Sequence, residues 1–340
     1  MGKVLSFGEL LLRICPDEGG QWLNENRLPF YVGGAEANVA TALALWEVPS
    51  SYMTALPDNF LAEQLVTYLK GRNVGTESIV YQEGRLGLYY LPKGKDLKNA
   101  GVIYDRSGSA YANLQPGTIN WDEAFEGVSW LHFSAICPAI NQAVADVCEE
   151  ALKVAKQKNI FVSLDLNYRA KLWKYGKDPV EVMPALAERC DLIMGNIWAA
   201  HMMLGIKLDE ELISERDKES LVQHAQLTSE EITKRFPNCQ VVANTFRFDY
   251  AEEGIRYYTT LYANEELTVS QEYVAEKILD KVGSGDCFMA GLIYGLYNGH
   301  SPSQTLEFAT AAAFSKLFIP SDATTATVAE VNKTLETYAK

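Results

Sequence analysis

The stretch DKVGSGDCFMAGLIYGL, Asp280–Leu296, sets three small residues and a carboxylate at the mouth of an apolar helix. Gly283, Ser284 and Gly285 let backbone N–H groups come close to an anion such as phosphate, and the positive end of the following helix favours negative charge there. Asp286, in the first turn, can reach a hydroxyl held against the same anion and take its proton. The string reads equally as a turn between strand and helix with an ordinary N-terminal acid. Its surroundings must decide.

Working outward, the 340 residues are 48% hydrophobic, with no apolar run of 18 or more, as expected of a globular chain that does not cross a membrane. The opening MGKVLSFGELLLRI alternates and carries Glu9 and Arg13, which suits a first core strand and not a secretory leader. Six cysteines lack CxxC spacing, so buried free thiols in a reducing cytoplasm are expected. The four histidines form no HxxxH or HxH pair, so no protein metal site is expected. A net charge of −14 excludes a nucleic-acid surface and leaves any anion to locally placed groups.

Short apolar runs alternate with amphipathic ones. KVLSFG (Lys3–Gly8), WLHFS (Trp130–Ser134), IFVSLDLN (Ile160–Asn167), LIMGN (Leu192–Asn196) and VVANT (Val241–Thr245) read as strands, while Asn141–Lys158 and Ser303–Phe318 read as helices. This rhythm predicts an α/β fold with a mostly parallel central sheet and helices on both faces. At Arg85–Arg106, GLYYLP and GVIYDR flank KGKDLKNA with no helix between them, and predict a hairpin in a small β-sheet over one end of the core. The charge-dense segment Lys207–Phe236 reads as peripheral helices and a loop.

A second glycine cluster, VGGAEANVATALALW at Val32–Trp46, opens another helix. It lacks GxGxxG spacing and no acidic ribose reader follows a fingerprint, which sets a hydride-transfer enzyme aside. Close backbone approach to a polyol suits Gly33 and Gly34, with Asn38 offering an amide to a substrate hydroxyl; tight packing of a lid on the helix is the other use of such a pair.

Together, GGAEANVA and DKVGSGDCFMAG resemble the paired signatures of the PfkB, or ribokinase-like, carbohydrate kinases, over nearly the whole chain. VIYDRSGSA (Val102–Ala110), LHFSAICPA (Leu131–Ala139) and DLNYRAKLW (Asp165–Trp173) are similar to the subgroup of 2-keto-3-deoxygluconate kinases. The resemblance implies a ribokinase-like three-layer sandwich, residues 1–340 as one kinase domain, with lid strands inserted at about 10–34 and 85–108. It implies ATP-dependent phosphorylation of a sugar-acid primary hydroxyl, with Asp286 as base and Gly283, Ser284 and Gly285 stabilising the transferred group through their N–H donors. An ordinary, already ionised Asp suffices for this at pH 7.

A keto acid brings a carboxylate, which Arg169, just past a core strand, is placed to fork. Arg106 and Tyr104 alternate onto one face of a lid strand and can close over the sugar acid. By resemblance Gly34, Tyr89, Ile136 and Asp322 join the substrate side, Tyr90 being the neighbour of Tyr89 that faces the other way; Asp322 reads otherwise as a cap for the helix near Thr327. Asn196, Thr245 and Arg247 match nucleotide-side positions, alongside Gly283 and Gly285.

Three departures stand out. Ser284 replaces the usual Ala, and NIWA at Asn196–Ala199 lacks the acid of the NxxE string that helps organise Mg²⁺, leaving only His201 nearby. The usual Gly and Lys around NTFR are also missing. A fructokinase or another PfkB sugar kinase, and a sugar-acid sensor without transfer, remain alternatives. The Tyr-rich lid edges imply a homodimer through the lid.

Overall fold

In the computed structural model, residues 2–16, 22–23, 26–92, 101–209 and 217–338 are described. The lid loop KGKDLKNA and residues 210–216 fall outside them.

The chain begins β1 (Lys3–Phe7), β2 (Leu11–Ile14), β3 (Phe30–Gly33), α1 (Ala35–Leu45), β4 (Ser50–Met53), β5 (Ala55–Leu56), α2 (Phe60–Lys70), β6 (Val80–Tyr81), β7 (Gly87–Tyr90) and β8 (Ile103–Asp105). It continues α3 (Trp121–Ala124), β9 (Val128–Ser134), α4 (Gln142–Gln157), β10 (Phe161–Asp165), α5 (Pro179–Ala187), β11 (Leu192–Gly195), α6 (Ile197–Leu204) and α7 (Lys218–Arg235). It ends β12 (Val241–Tyr250), β13 (Gly254–Ala263), β14 (Glu266–Val269), β15 (Tyr273–Ala275), α8 (Ser284–Tyr297), α9 (Pro302–Lys316) and α10 (Val328–Tyr338).

Period-two alternation assigns each strand residue to one of two cores. Val4, Trp130, Leu192, Met194 and Ala243 pack on the side of α1, α8 and α9, with Val39, Phe288 and Ala309. Leu5, Leu131, Ile193 and Val242 pack on the other side, with Ala151 of α4, Met183 of α5 and Met203 of α6. The sheet between them runs β14-β13-β12-β11-β10-β9-β1-β4, with β15 on β13. From β4 to β12 every pairing is parallel, and β13 and β14 beyond them run antiparallel. This is the three-layer α/β fold expected, and it puts the carboxyl ends of six parallel strands along one rim.

Over that rim sits a second sheet, β3-β2-β7-β8. The expected hairpin is there, with Tyr89 opposite Tyr104 in antiparallel register. Leu12, Val32 and Leu88 pack toward Leu65 and Leu69 of α2, while Leu11, Tyr89 and Tyr104 turn toward the rim and Val282. All six cysteines are buried free thiols, as expected. No helix among the described residues is long and apolar enough to cross a membrane.

One segment differs from the sequence reading. α7 is not merely peripheral: it buries Leu221, His224, Ala225, Thr228, Ser229 and Ile232. Half of that stripe is polar, His224 Nδ1 lying 3.1 Å from Thr228 Oγ1 and Ser229 Oγ donating to the Ala225 carbonyl at 2.7 Å. Side chains satisfied within the helix can be buried without an apolar signature.

Candidate active site

Between rim and lid lies a cavity of about 590 Å³. The parallel strands deliver residues to it at or just beyond their carboxyl ends: Glu9 after β1, Ile136 after β9, Asp165 and Arg169 at and beyond the end of β10, and Asn196 after β11. Thr245 and Arg247 come from β12, and Tyr89, Tyr104 and Arg106 from the lid. Two helix N-termini also face it, Gly34 to Asn38 at α1 and Gly283 to Asp286 at α8.

At α8, Gly283 is the N-cap in a left-handed conformation (φ 78°), and the helix runs from Ser284. The first N–H groups of a helix have no internal partner, so these point their donors and the dipole into the cavity. Residue 283 must be glycine for a second reason, since a Cβ there would lie 1.8 Å from the Asp322 carbonyl oxygen.

Asp286 is buried at 9% exposure. Asn38 Nδ2 donates to its Oδ2 at 2.7 Å, joining α1 to α8. The amide expected on a substrate hydroxyl thus spends one donor orienting the carboxylate. Nor is Asp286 an ordinary carboxylate: burial pushes its pKa up to about 7 against the pull of Asn38, with the charges of Asp165 and Glu36 adding to the rise and Arg169 opposing it. Sequence reasoning missed this because burial and neighbouring charge decide it, and neither is local. Arg169 and Asp286 line the same cavity.

Asp322 is elsewhere than expected. It neither lines the cavity nor caps a helix; Thr327 and Glu330 do the capping, through bonds of 2.8 to 3.3 Å. Asp322 sits in a buried charge hub behind the α8 turn. Arg13 forks Asp280 with contacts of 3.3 and 2.5 Å, and its Nε lies 2.9 Å from Asp322 Oδ1. The Tyr89 hydroxyl, expected on the sugar, donates to Asp322 Oδ2 instead, while the Tyr89 ring faces the cavity. Burial raises Asp322 to about 6, with Arg13 holding it back. Gly33 also serves the hub and not a polyol, because a Cβ there would lie 2.7 Å from Asp322 Oδ2. The hub therefore ties lid strands β2, β3 and β7 to the anion turn.

Tyr90 turns away from the cavity, its ring against Trp22. Arg106 comes directly after β8 and its Nε pairs with the buried Glu9 carboxylate. Asn196 Oδ1 caps α6, accepting from Ala199 N at 2.8 Å. Thr245 Oγ1 donates to the Gly195 carbonyl at 3.2 Å. His201 is not on the cavity wall; its Nδ1 lies 2.9 Å from the Ile206 carbonyl.

Glu9, Glu36, Asp165, Lys171 and Lys281 also line the cavity, and sequence reasoning did not point to them as site residues. Glu36, in the first turn of α1, accepts from Ser134 N at 3.1 Å, and burial raises its pKa. Lys171 Nζ donates to the Val102 carbonyl at 2.9 Å, linking the loop after β10 to the lid. Glu9 had a usable signal, a lone acid in an otherwise apolar alternating run.

This arrangement can hold an anion at a helix N-terminus, take a proton at Asp286 and pair a second anion with Arg169. Comparisons with known proteins give the family. The family model for pfkB family carbohydrate kinases matches residues 1–318. The chain is 26% identical over 337 residues to 2-dehydro-3-deoxygalactonokinase of Haloferax volcanii, covering 98% of this chain and 96% of that one. It is 27% identical over 317 residues to 5-dehydro-2-deoxygluconokinase of Clostridium beijerinckii, covering 91% and 85%. Among solved structures, 2-dehydro-3-deoxygluconokinase from Thermotoga maritima superposes with a TM-score of 0.89 at 32% identity, covering 99% of this chain and all of the other. The chain belongs to the pfkB family of carbohydrate kinases.

Proposed function

We propose that this carbohydrate kinase transfers the γ-phosphoryl group of ATP to the primary hydroxyl of 2-keto-3-deoxygluconate, giving the 6-phosphate. The observation that carries the reading is one cavity holding Asp286 and the α8 N-terminus together with Arg169. The names of the relatives from Haloferax volcanii and Thermotoga maritima support a keto-deoxy sugar acid.

In this reading Asp286 accepts the hydroxyl proton as the oxygen attacks the γ-phosphorus. A pKa near 7 makes it a stronger acceptor than an exposed Asp while leaving a working fraction ionised at neutral pH. Asn38 fixes which carboxylate oxygen faces the hydroxyl. The N–H groups of Gly283, Ser284 and Gly285 meet the charge on the transferred group. Arg169 pairs with the sugar carboxylate, and the Tyr89 and Tyr104 rings and Arg106 cover the sugar from the lid. Gly34 and Ile136 complete its bed.

Asn196, Thr245 and Arg247 line the nucleotide side. Among the described residues no group of three or more His, Cys, Asp or Glu forms a metal cage. The buried Asp165 carboxylate still offers hard oxygen beside the anion turn, which fits Mg²⁺ carried by nucleotide phosphates. When bound, Mg²⁺ supplies charge neutralisation on those phosphates.

We further propose that residues 1–340 work as one catalytic unit in the cytoplasm, and as a homodimer through the lid. Phe30 on edge strand β3 and Ile103 on edge strand β8 are 59% and 60% exposed, which supports the latter. A monomer by light scattering at micromolar concentration would refute the dimer.

ADP release measured with ketodeoxygluconate, ketodeoxygalactonate, fructose and ribose tests the function. The highest kcat/KM is expected with ketodeoxygluconate. Preference for fructose would make the protein a fructokinase, and sugar-acid binding without ADP release would make it a sensor.

A further inference from the structure

Ser284 stands where an alanine would keep the same backbone N–H, so its hydroxyl calls for its own explanation. That hydroxyl accepts from Arg247 Nη1 at 3.0 Å and donates to the Lys281 carbonyl at 3.1 Å. Arg247 Nη1 also reaches the Lys281 carbonyl, at 3.5 Å. A guanidinium on a flexible stem is thereby pinned beside the N-terminus of α8. Lys281 itself lies along the cavity wall with its side chain 17% exposed, and its Nζ sits 2.7 Å from Asp249 Oδ1. Asp249 is 80% exposed, so this pair is screened by water and easily exchanged for a stronger anion.

We propose that Ser284 is a positioning residue that aims Arg247 at the polyphosphate of the phosphoryl donor, and that Lys281 leaves Asp249 for the same polyphosphate when the donor binds. This rests on the kinase reading and adds to it the side chains that grip the donor. Two cations converging on a helix N-terminus complement a multiply charged phosphate chain, which a neutral or singly charged ligand at that end would not require. It also gives the chain a local source of positive charge where its net balance is −14.

Titration calorimetry of the full chain with Mg·ATP and with inorganic triphosphate, without sugar, tests the proposal. Ser284→Ala is expected to weaken binding of both about 5- to 20-fold, and Arg247→Met at least as much. The double variant should bind no more than about twofold weaker than Arg247→Met alone, because Ser284 acts through Arg247. Asp249→Asn should tighten binding about 2- to 5-fold by releasing Lys281, a gain that a merely structural surface pair would not give. Unchanged affinity in Ser284→Ala, or effects that multiply in the double variant, would overturn the positioning role; weaker binding in Asp249→Asn would overturn the exchange. Wild-type protein that binds Mg·ATP yet releases no ADP with any sugar would refute the kinase reading separately, while these affinities still judge the clamp.

Discussion

Asn38 and Asp286 lie 248 positions apart and meet through a 2.7 Å hydrogen bond that fastens the N-terminal turn of one helix to that of another. The bond works against burial. Desolvation favours the neutral acid, and the amide donor favours the carboxylate. The balance leaves a proton acceptor tuned near neutrality at the anion turn.

The pH dependence comes from that balance. A base must be ionised, so kcat/KM for the sugar acid at saturating Mg·ATP should rise with pH through a limb near 7. Asn38→Leu removes the donor that lowers the pKa, and should move the limb to higher pH while reducing kcat about tenfold or more. A limb near 4, or a downward move in the variant, would contradict the assignment.

Stability should show the same group from the other side. A folded-state pKa raised from 3.8 to about 7 means that the fold prefers protonated Asp286. That contribution is fully present below about pH 4 and is lost as pH rises through 7. Asp286→Asn should therefore melt above wild type at pH 8, with the gain shrinking toward pH 4. Calorimetric scans at both pH values check the sign.

Arg169 is expected to act chiefly on charge recognition, its pull on the Asp286 carboxylate being the smallest of the named influences there. Replacing it with Leu should raise KM for ketodeoxygluconate roughly 10- to 100-fold, the worth of a charge-assisted hydrogen bond. Weak turnover of a neutral ketose should stay within about twofold. Steady-state kinetics on both sugars decide, and equal losses on both would remove the carboxylate from Arg169.

The hub behind the turn should be structural first. Arg13→Met removes the guanidinium from between Asp280 and Asp322 and should cost about 3–5 kcal/mol, seen in a chain of 340 residues as a melting temperature lower by roughly 4–7 °C. Tyr89→Phe removes one hydroxyl bond to Asp322, keeps the ring on the cavity, and should cost only about 1 kcal/mol. Denaturant melts of the two variants are the check, and a near-neutral Arg13→Met would show that the hub carries little load.

Much of the fold was legible because buried core strands such as Lys3–Phe7 and Leu192–Gly195 stand out as short apolar runs between amphipathic segments, and because glycines marked both helix mouths. α7 hid behind buried polar residues whose hydrogen bonds close within the helix, His224 with Thr228 and Ser229 with the Ala225 carbonyl. The cavity was legible as a set of positions and less so as contacts. Nothing near Asn38 announces Asp286, and nothing near Asp322 announces Arg13, since both pairings arise only when the lid and both helix mouths close on one rim. Arg13 and Glu9 were visible as charges in an apolar run, and both belong to buried ion pairs.

The most direct test of Asp286 as the base is turnover and sugar binding in Asp286→Asn beside wild type. ADP release with ketodeoxygluconate is expected to fall by about a thousandfold or more, with the sugar Kd within a few-fold of wild type. Turnover within tenfold of wild type would place the base on another residue.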